Sequence, residues 1–200
     1  MKVRYSYLKQ QFSNCPSLWK KLKLFVATGD FTLGKELRVF ESKFAKLIGT
    51  KYAVGVNSGT DALKLSLKAA NIKPGDEVIT AANTFVATVG AICEIGAIPV
   101  FVDIDLDTFT LNVEATSDAI TERTAGIMPV HLYGHPAKMD ALSELANRHG
   151  LLLFEDAAQA HGARYGDEMV GAIGLGGIFS FQSSKNMSSG EGGAIIYTGI

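Results

Sequence analysis

The sequence predicts an α/β fold in which a mostly parallel sheet is covered by helices on both faces. Two observations carry this. Short, continuous apolar runs of strand length alternate with amphipathic segments of helical period, and turn signals such as Lys73-Pro74-Gly75-Asp76 punctuate them. In order, Leu33, Leu37, Phe40, Phe44, Leu47 and Ile48 recur at helical spacing, and Gly49 supplies a left-handed stop. Residues 52–56 read as a strand, 60–70 as a helix and 77–81 as a strand. A helix over 85–95 and a strand over 98–103 follow. Then come a strand over 126–130, a helix opened by Pro136 and closed at Gly150, and an apolar strand over 151–154. From Gly162 the chain is glycine-rich, with short strands and no clear helix. It stops in or just after an apolar strand without a closing helix, which reads as a truncated frame.

Two hundred residues at 47% hydrophobic content support one substantial core, or one domain with an extension. The net charge of −1 offers no basic patch for nucleic acid or an anionic membrane. Cys15 and Cys93 fit neither a metal spacing nor a disulfide framework, so a reducing compartment is the simpler reading. Residues 1–7 lack an apolar signal-peptide core. The apolar run 86–102 is interrupted by Gly90, Glu94, Gly96 and Pro99, which fits a buried helix, turn and strand rather than a membrane span.

In such a sheet, ligands sit at the carboxyl ends of parallel strands. Asn57-Ser58-Gly59-Thr60-Asp61 follows one strand: Gly59 permits close backbone approach and the helix N-terminus offers free N–H groups to a phosphate, although the segment is equally a helix N-cap. Glu155-Asp156-Ala157-Ala158-Gln159-Ala160-His161 follows another, where an acid either caps the next helix or aims a carboxylate at a cationic partner. Asn83-Thr84-Phe85 follows a third, with Phe85 as core or as a stacking platform. Lys185 lies between an apolar strand and the turn Ser189-Gly190-Glu191-Gly192-Gly193, poorly solvated as an ammonium and nucleophilic as an amine.

Other patterns fail. Gly174, Gly176 and Gly177 do not complete a dinucleotide fingerprint, and Lys185 lacks the glycine of a phosphate-binding loop lysine. Asp103, Asp105, Asp107 and Glu114 match part of a calcium loop, but Thr108 stands where the turn requires glycine. His131 and His135 are four apart, but Gly134 and Pro136 flank the second, so no shared helical face presents them to a metal, and no metal site is expected.

Taken together, the motifs resemble the sugar aminotransferases of the DegT/StrS type. Those carrying the likeness are Gly29-Asp30-Phe31-Thr32-Leu33-Gly34, Asn57-Ser58-Gly59-Thr60-Asp61-Ala62-Leu63, Pro74-Gly75-Asp76-Glu77-Val78-Ile79 and Asn83-Thr84-Phe85-Val86-Ala87-Thr88. Phe101-Val102-Asp103-Ile104-Asp105, Pro129-Val130-His131-Leu132-Tyr133-Gly134, the Glu155–Gly162 run and the Lys185 segment complete them.

The resemblance implies the large domain of the aspartate-aminotransferase-like fold (fold type I of pyridoxal-phosphate enzymes). Residues 34–200 would form an incomplete cofactor-binding domain, and 1–33 a segment serving the small domain or dimer contacts. It also implies that Lys185 holds pyridoxal 5'-phosphate as a Schiff base and later moves a proton, while Asp156 pairs with the pyridine nitrogen. Phe85 would stack on the ring, Gln159 would bond its hydroxyl, and Ser58, Gly59, Thr60, Ser180 and Ser183 would serve the phosphate. The implied reaction moves an amine from an amino acid, glutamate by expectation, to a keto group of a nucleotide-linked sugar. The Pro129–Gly134 segment leans toward 3-keto sugars. A cytoplasmic homodimer is implied, with neither nucleic acid nor membrane as a partner. The rival readings are another enzyme of the same fold with different chemistry on the sugar, a regulatory or interaction module that binds the cofactor without catalysis, and a catalytically incomplete piece of an enzyme.

Overall fold

The computed structural model describes residues 7–198. Most of the segment behind the leader reading, and the last two residues behind the truncation reading, therefore lie outside the described residues. The chain opens with helices α1 (Leu8–Ser13) and α2 (Pro16–Thr28), which bury no residue. Helix α3 (Lys35–Ile48) buries Phe44, Ala45 and Ile48 and ends on Gly49 at φ 86°, a left-handed cap that glycine adopts without strain. Leu33, expected on that helix, instead precedes it with φ 51° and is 74% exposed.

Strand β1 (Tyr52–Val56) leads into α4 (Gly59–Ala69), and β2 (Glu77–Ala81) into α5 (Val86–Glu94). Strand β3 (Ile98–Val102), the short helix α6 (Val113–Asp118) and β4 (Thr124–Met128) follow. After a 3-10 turn at Leu132–Gly134 come α7 (Met139–His149) and β5 (Leu152–Asp156). A small hairpin of β6 (Arg164–Tyr165) and β7 (Glu168–Met169) precedes β8 (Gly176–Ser180) and β9 (Gly193–Tyr197). This agrees with the expected helix-poor, glycine-rich end.

Besides Leu33, three elements depart from their expected bounds by two residues or more. Helix α7 starts three residues after Pro136, because Ala137 N–H is turned onto the His131 ring instead of into a helix. Strand β4 begins and ends two residues early, and Val130 reaches Asp156 only through an isolated bridge. Strand β5 runs on through Glu155 and Asp156, so both acids belong to the strand itself.

The seven-stranded sheet has the order β1-β9-β8-β5-β4-β2-β3. The pairs β2/β3, β2/β4, β4/β5 and β5/β8 are parallel, whereas β9 runs antiparallel to both β1 and β8. Strand β1 is therefore parallel to β8, and β9 alone is reversed. Apolar residues alternate between two cores, as the strand period demands. One core packs Leu63, Leu67 and Ile92 of α4 and α5 against Phe154 and Ile178. The opposite face is split: Phe44 of α3 meets Phe179 and Ile196, while Leu142 and Leu145 of α7 meet Ile79, Ile127 and Leu153.

This topology decides where chemistry can sit. The carboxyl ends of β1, β2, β5 and β8 all emerge on one edge of the sheet, which brings residues 58–60, 83–85, 156–159 and 180–185 together.

Candidate functional site

Asp156 occupies the end of β5, 4% exposed. Its Oδ2 accepts from Thr88 Oγ1 at 2.7 Å and its Oδ1 from Ala158 N–H at 3.1 Å. Thr88 is fully buried and shares a 2.8 Å hydrogen bond with Thr84. Burial raises the Asp156 carboxyl above its ordinary value of 3.8, and the Thr88 and Ala158 hydrogen bonds oppose this only in part. A buried carboxylate so placed favours a cationic partner, which is the functional alternative that the sequence left open.

The neighbouring acid does different work. Glu155 points to the other face, fully buried, and accepts from Gly171, Ile173 and Gly174 N–H, each at 2.7 Å. His131, also fully buried, lies 3.0 Å from Glu155 Oε2 through Nε2, while its Nδ1 accepts from Ala137 N–H at 3.1 Å. Because Nδ1 is an acceptor, the proton of that ring sits on Nε2 and is donated to Glu155. Glu155 thus fixes the 171–174 loop and the start of the His131 segment behind the site, a structural role. Glu155→Ala should cost about 3–5 kcal/mol in urea unfolding, because three amides and a histidine lose their acceptor together. A loss below about 1 kcal/mol would mean that water replaces it.

At the end of β1, Ser58 caps α4, its Oγ accepting from Asp61 N–H at 3.0 Å. The N-cap alternative is thus present, and the first-turn amides of Gly59 and Thr60 still have no intrahelical acceptor. Gly59 is buried, and a Cβ there would lie 2.7 Å from Ser180 Cβ at the end of β8. Gly193 packs as tightly: its Cβ would lie 2.2 Å from Ser58 O. The two glycines let the α4 N-terminus sit directly on strands β8 and β9. Gly59→Val should push Ser180 away and lower stability by about 1–3 kcal/mol in a thermal melt.

Lys185 lies in a turn after β8, half-buried, its N–H donating to Gln182 O at 2.9 Å. Its Nζ stands 5.7 Å from the centroid of the Phe85 ring, which is 59% exposed and so not part of the core. Its charge also acts on Asp156. Gln159 is partly exposed and accepts from Tyr133 N–H at 3.1 Å. Ser180 Oγ accepts from Gln182 N–H at 3.4 Å, and Ser183 Oγ accepts from Gln182 Nε2 at 3.0 Å, so Ser183 serves its own loop.

Two groups escaped the sequence reading. Thr88 could have been noticed as a hydroxyl inside an otherwise apolar helix. His131 and Glu155 are 24 residues apart, and no spacing rule pairs them. The aspartates of the rejected calcium loop organise a turn: Asp105 accepts from Asp107 and Thr108 N–H and from Lys138 Nζ at 2.7 Å, which holds its carboxyl down at about 2. Among the described residues, no group of three or more His, Cys, Asp and Glu side chains is placed to hold a metal.

Comparison with known proteins gives a concordant picture. Residues 17–199 match the model of the DegT/DnrJ/EryC1/StrS aminotransferase family. The chain is 51% identical over 170 residues to the dTDP-3-amino-3,4,6-trideoxy-alpha-D-glucose transaminase of Streptomyces venezuelae, covering 84% of this chain and 45% of that protein. Its fold superposes with a TM-score of 0.94 on the crystal structure of S. venezuelae DesV in complex with a ketimine intermediate, at 45% identity, covering 99% of this chain and 54% of that one. It superposes with a TM-score of 0.93 on Bacillus subtilis NtdA with bound cofactor PMP, at 34% identity, covering 100% of this chain and 46% of that one. The chain spans about half the length of these relatives.

Proposed function

The chain belongs to the DegT/DnrJ/EryC1/StrS aminotransferase family, and from that premise we propose that it forms the cofactor-binding part of a pyridoxal-phosphate enzyme that aminates a nucleotide-linked keto sugar. Its fold is the large domain of fold type I, as the sequence led us to expect. The observation that carries the functional reading is the convergence of a primary amine, an exposed aromatic face and a buried carboxylate at one sheet edge: Lys185, Phe85 and Asp156.

That donor set fits the cofactor. When bound, pyridoxal phosphate supplies an aldehyde that condenses with amines and a ring that takes up electron density. Lys185 Nζ would hold that aldehyde and would carry a proton at the substrate carbon. Asp156, held by Thr88 and short of a positive partner, would keep a proton on the pyridine nitrogen. Phe85 would cover one ring face. The Gly59 and Thr60 amides, with the Ser58 and Ser180 hydroxyls, would hold the phosphate at the helix N-terminus. Ser183, whose Oγ accepts from Gln182 Nε2, would join them through its hydroxyl proton. Gln159 would offer its side-chain amide to the ring hydroxyl.

We take glutamate as the amino donor. The name of the S. venezuelae relative, a 3-amino sugar transaminase, supports the leaning toward a 3-keto acceptor. We assign residues 34–200 to the large domain and 1–33 to small-domain or dimer contacts. Leu18, Trp19, Leu22 and Leu24 support the latter, since α2 leaves them 42–62% exposed. A cytoplasmic homodimer is part of the same proposal. No helix among the described residues is long and apolar enough to cross a membrane.

The test is spectroscopic. Adding pyridoxal phosphate to the purified protein should produce a visible absorption band, which glutamate bleaches with release of 2-oxoglutarate. A folded protein that develops no band would sink the reading.

A further inference from the structure

We propose that a pocket beside this site, lined by Phe109 and Tyr133, seats the uncharged sugar ring of the acceptor; this rests on the aminotransferase reading above. The pocket measures about 550 Å³, within the range of small-molecule sites. Phe109 and Tyr133 both hold left-handed backbone, at φ 56° and 54°, which bulky residues avoid. Each is pinned there from the catalytic side of the fold. Phe109 N–H donates to Asp105 O at 2.8 Å and its carbonyl accepts from Asn83 Nδ2 at 3.1 Å. Tyr133 N–H donates to the Gln159 side chain at 3.1 Å. The strain is not offset by burial, because the two rings remain 59% and 87% exposed. The fold therefore holds two exposed aromatic residues in strained backbone at the lining of one cavity, and strain of this kind gathers at ligand sites.

The lining selects the ligand. Aromatic faces receive the C–H face of a sugar ring, while Asp107 and the free Oδ1 of Asn83 accept from its hydroxyls. Among the described residues, neither lysine nor arginine lines the pocket, and the Asp107 carboxylate repels a diphosphate. The sugar, not the nucleoside, belongs here for a second reason. The carbon to be aminated is on the sugar and must approach Lys185. Asn83 is two residues from Phe85, and Tyr133 is bonded to Gln159, three residues beyond Asp156.

The experiment titrates cofactor-free protein by calorimetry with dTDP-glucose and UDP-N-acetylglucosamine, against dTDP and UDP alone. The wild type should prefer the sugar-linked forms. Tyr133→Ala and Phe109→Ala should each weaken them about tenfold and leave the free diphosphates unchanged, while Tyr133→Phe keeps the preference. Tyr133→Gly relieves the left-handed strain, so its melting temperature should hold or rise while the sugar preference falls. Equal losses for all four ligands, absence of preference in the wild type, or a change confined to self-association would overturn the proposal. The cofactor band and its bleaching by glutamate, read on the same samples, separate the two claims. A Tyr133-dependent sugar preference without a band would leave the pocket standing and the aminotransferase reading refuted. A normal band without Tyr133 dependence would refute the pocket alone.

Discussion

Lys185→Ala should abolish covalent capture of pyridoxal phosphate and lower transamination by about 10⁴-fold or more, because in the proposed function one amine is both nucleophile and proton carrier and its loss would remove both steps together. Borohydride reduction of the wild type with cofactor should fix the label on Lys185, and on no residue of the variant. The fold should be indifferent. Lys185 is half-buried in a turn whose hydrogen bonds run through the backbone and through Gln182, so unfolding free energy should stay within about 0.5 kcal/mol of wild type. Lys185→Arg should be as inactive despite its charge, since a guanidinium is never a free amine at neutral pH. Activity retained in either variant, or a label mapped to another lysine, would refute the assignment.

The sequence showed the strands more clearly than the surroundings of the site. Strands β1 and β2 match their expected bounds because strong punctuation encloses them, Asn57 after one and Pro74-Gly75-Asp76 before the other. The start of α7 was misplaced because Pro136 is a fair helix opener locally, while the competing partner of Ala137, the His131 ring, is buried by tertiary packing. Leu33 fitted a helical period but belongs to a left-handed turn that periodicity cannot see. Likewise, the two roles in Glu155-Asp156 follow from strand alternation: adjacent acids face opposite sides, one towards the amides of the 171–174 loop and one towards Thr88. Motif order placed Lys185 and Asp156 on the page. Only three-dimensional contacts could pair Thr88 with Asp156 and Glu155 with His131, since nothing local in the chain encodes a partner 68 or 24 residues away.

Asp156→Asn should separate stability from chemistry. Activity should fall by about 10²–10³-fold, the cost of losing one preorganised electrostatic partner, because a neutral amide cannot keep a proton on the pyridine nitrogen. The cofactor-free protein should nevertheless melt at the same temperature or higher at neutral pH. Asparagine is isosteric; it can accept from Ala158 N–H and donate to Thr88 Oγ1, so the local bonds survive. What disappears is the cost of ionising a buried carboxyl. Burial raises the folded-state value of the Asp156 carboxyl above 3.8, so between the unfolded and folded values the native state binds more protons than the unfolded one. The Asp156 contribution is therefore most favourable below the unfolded value. It declines as pH rises through the folded value and stays lost above it. The advantage of the variant should accordingly grow from acid to neutral pH and vanish at low pH, where both side chains are neutral. Pyridoxal phosphate should reverse the ranking, raising the melting temperature of the wild type more than that of the variant, since the ring cation gives the buried carboxylate the partner it lacks. A variant less stable than wild type at neutral pH without cofactor, or stabilised equally by it, would show that Asp156 is held for packing rather than poised for a cationic ring.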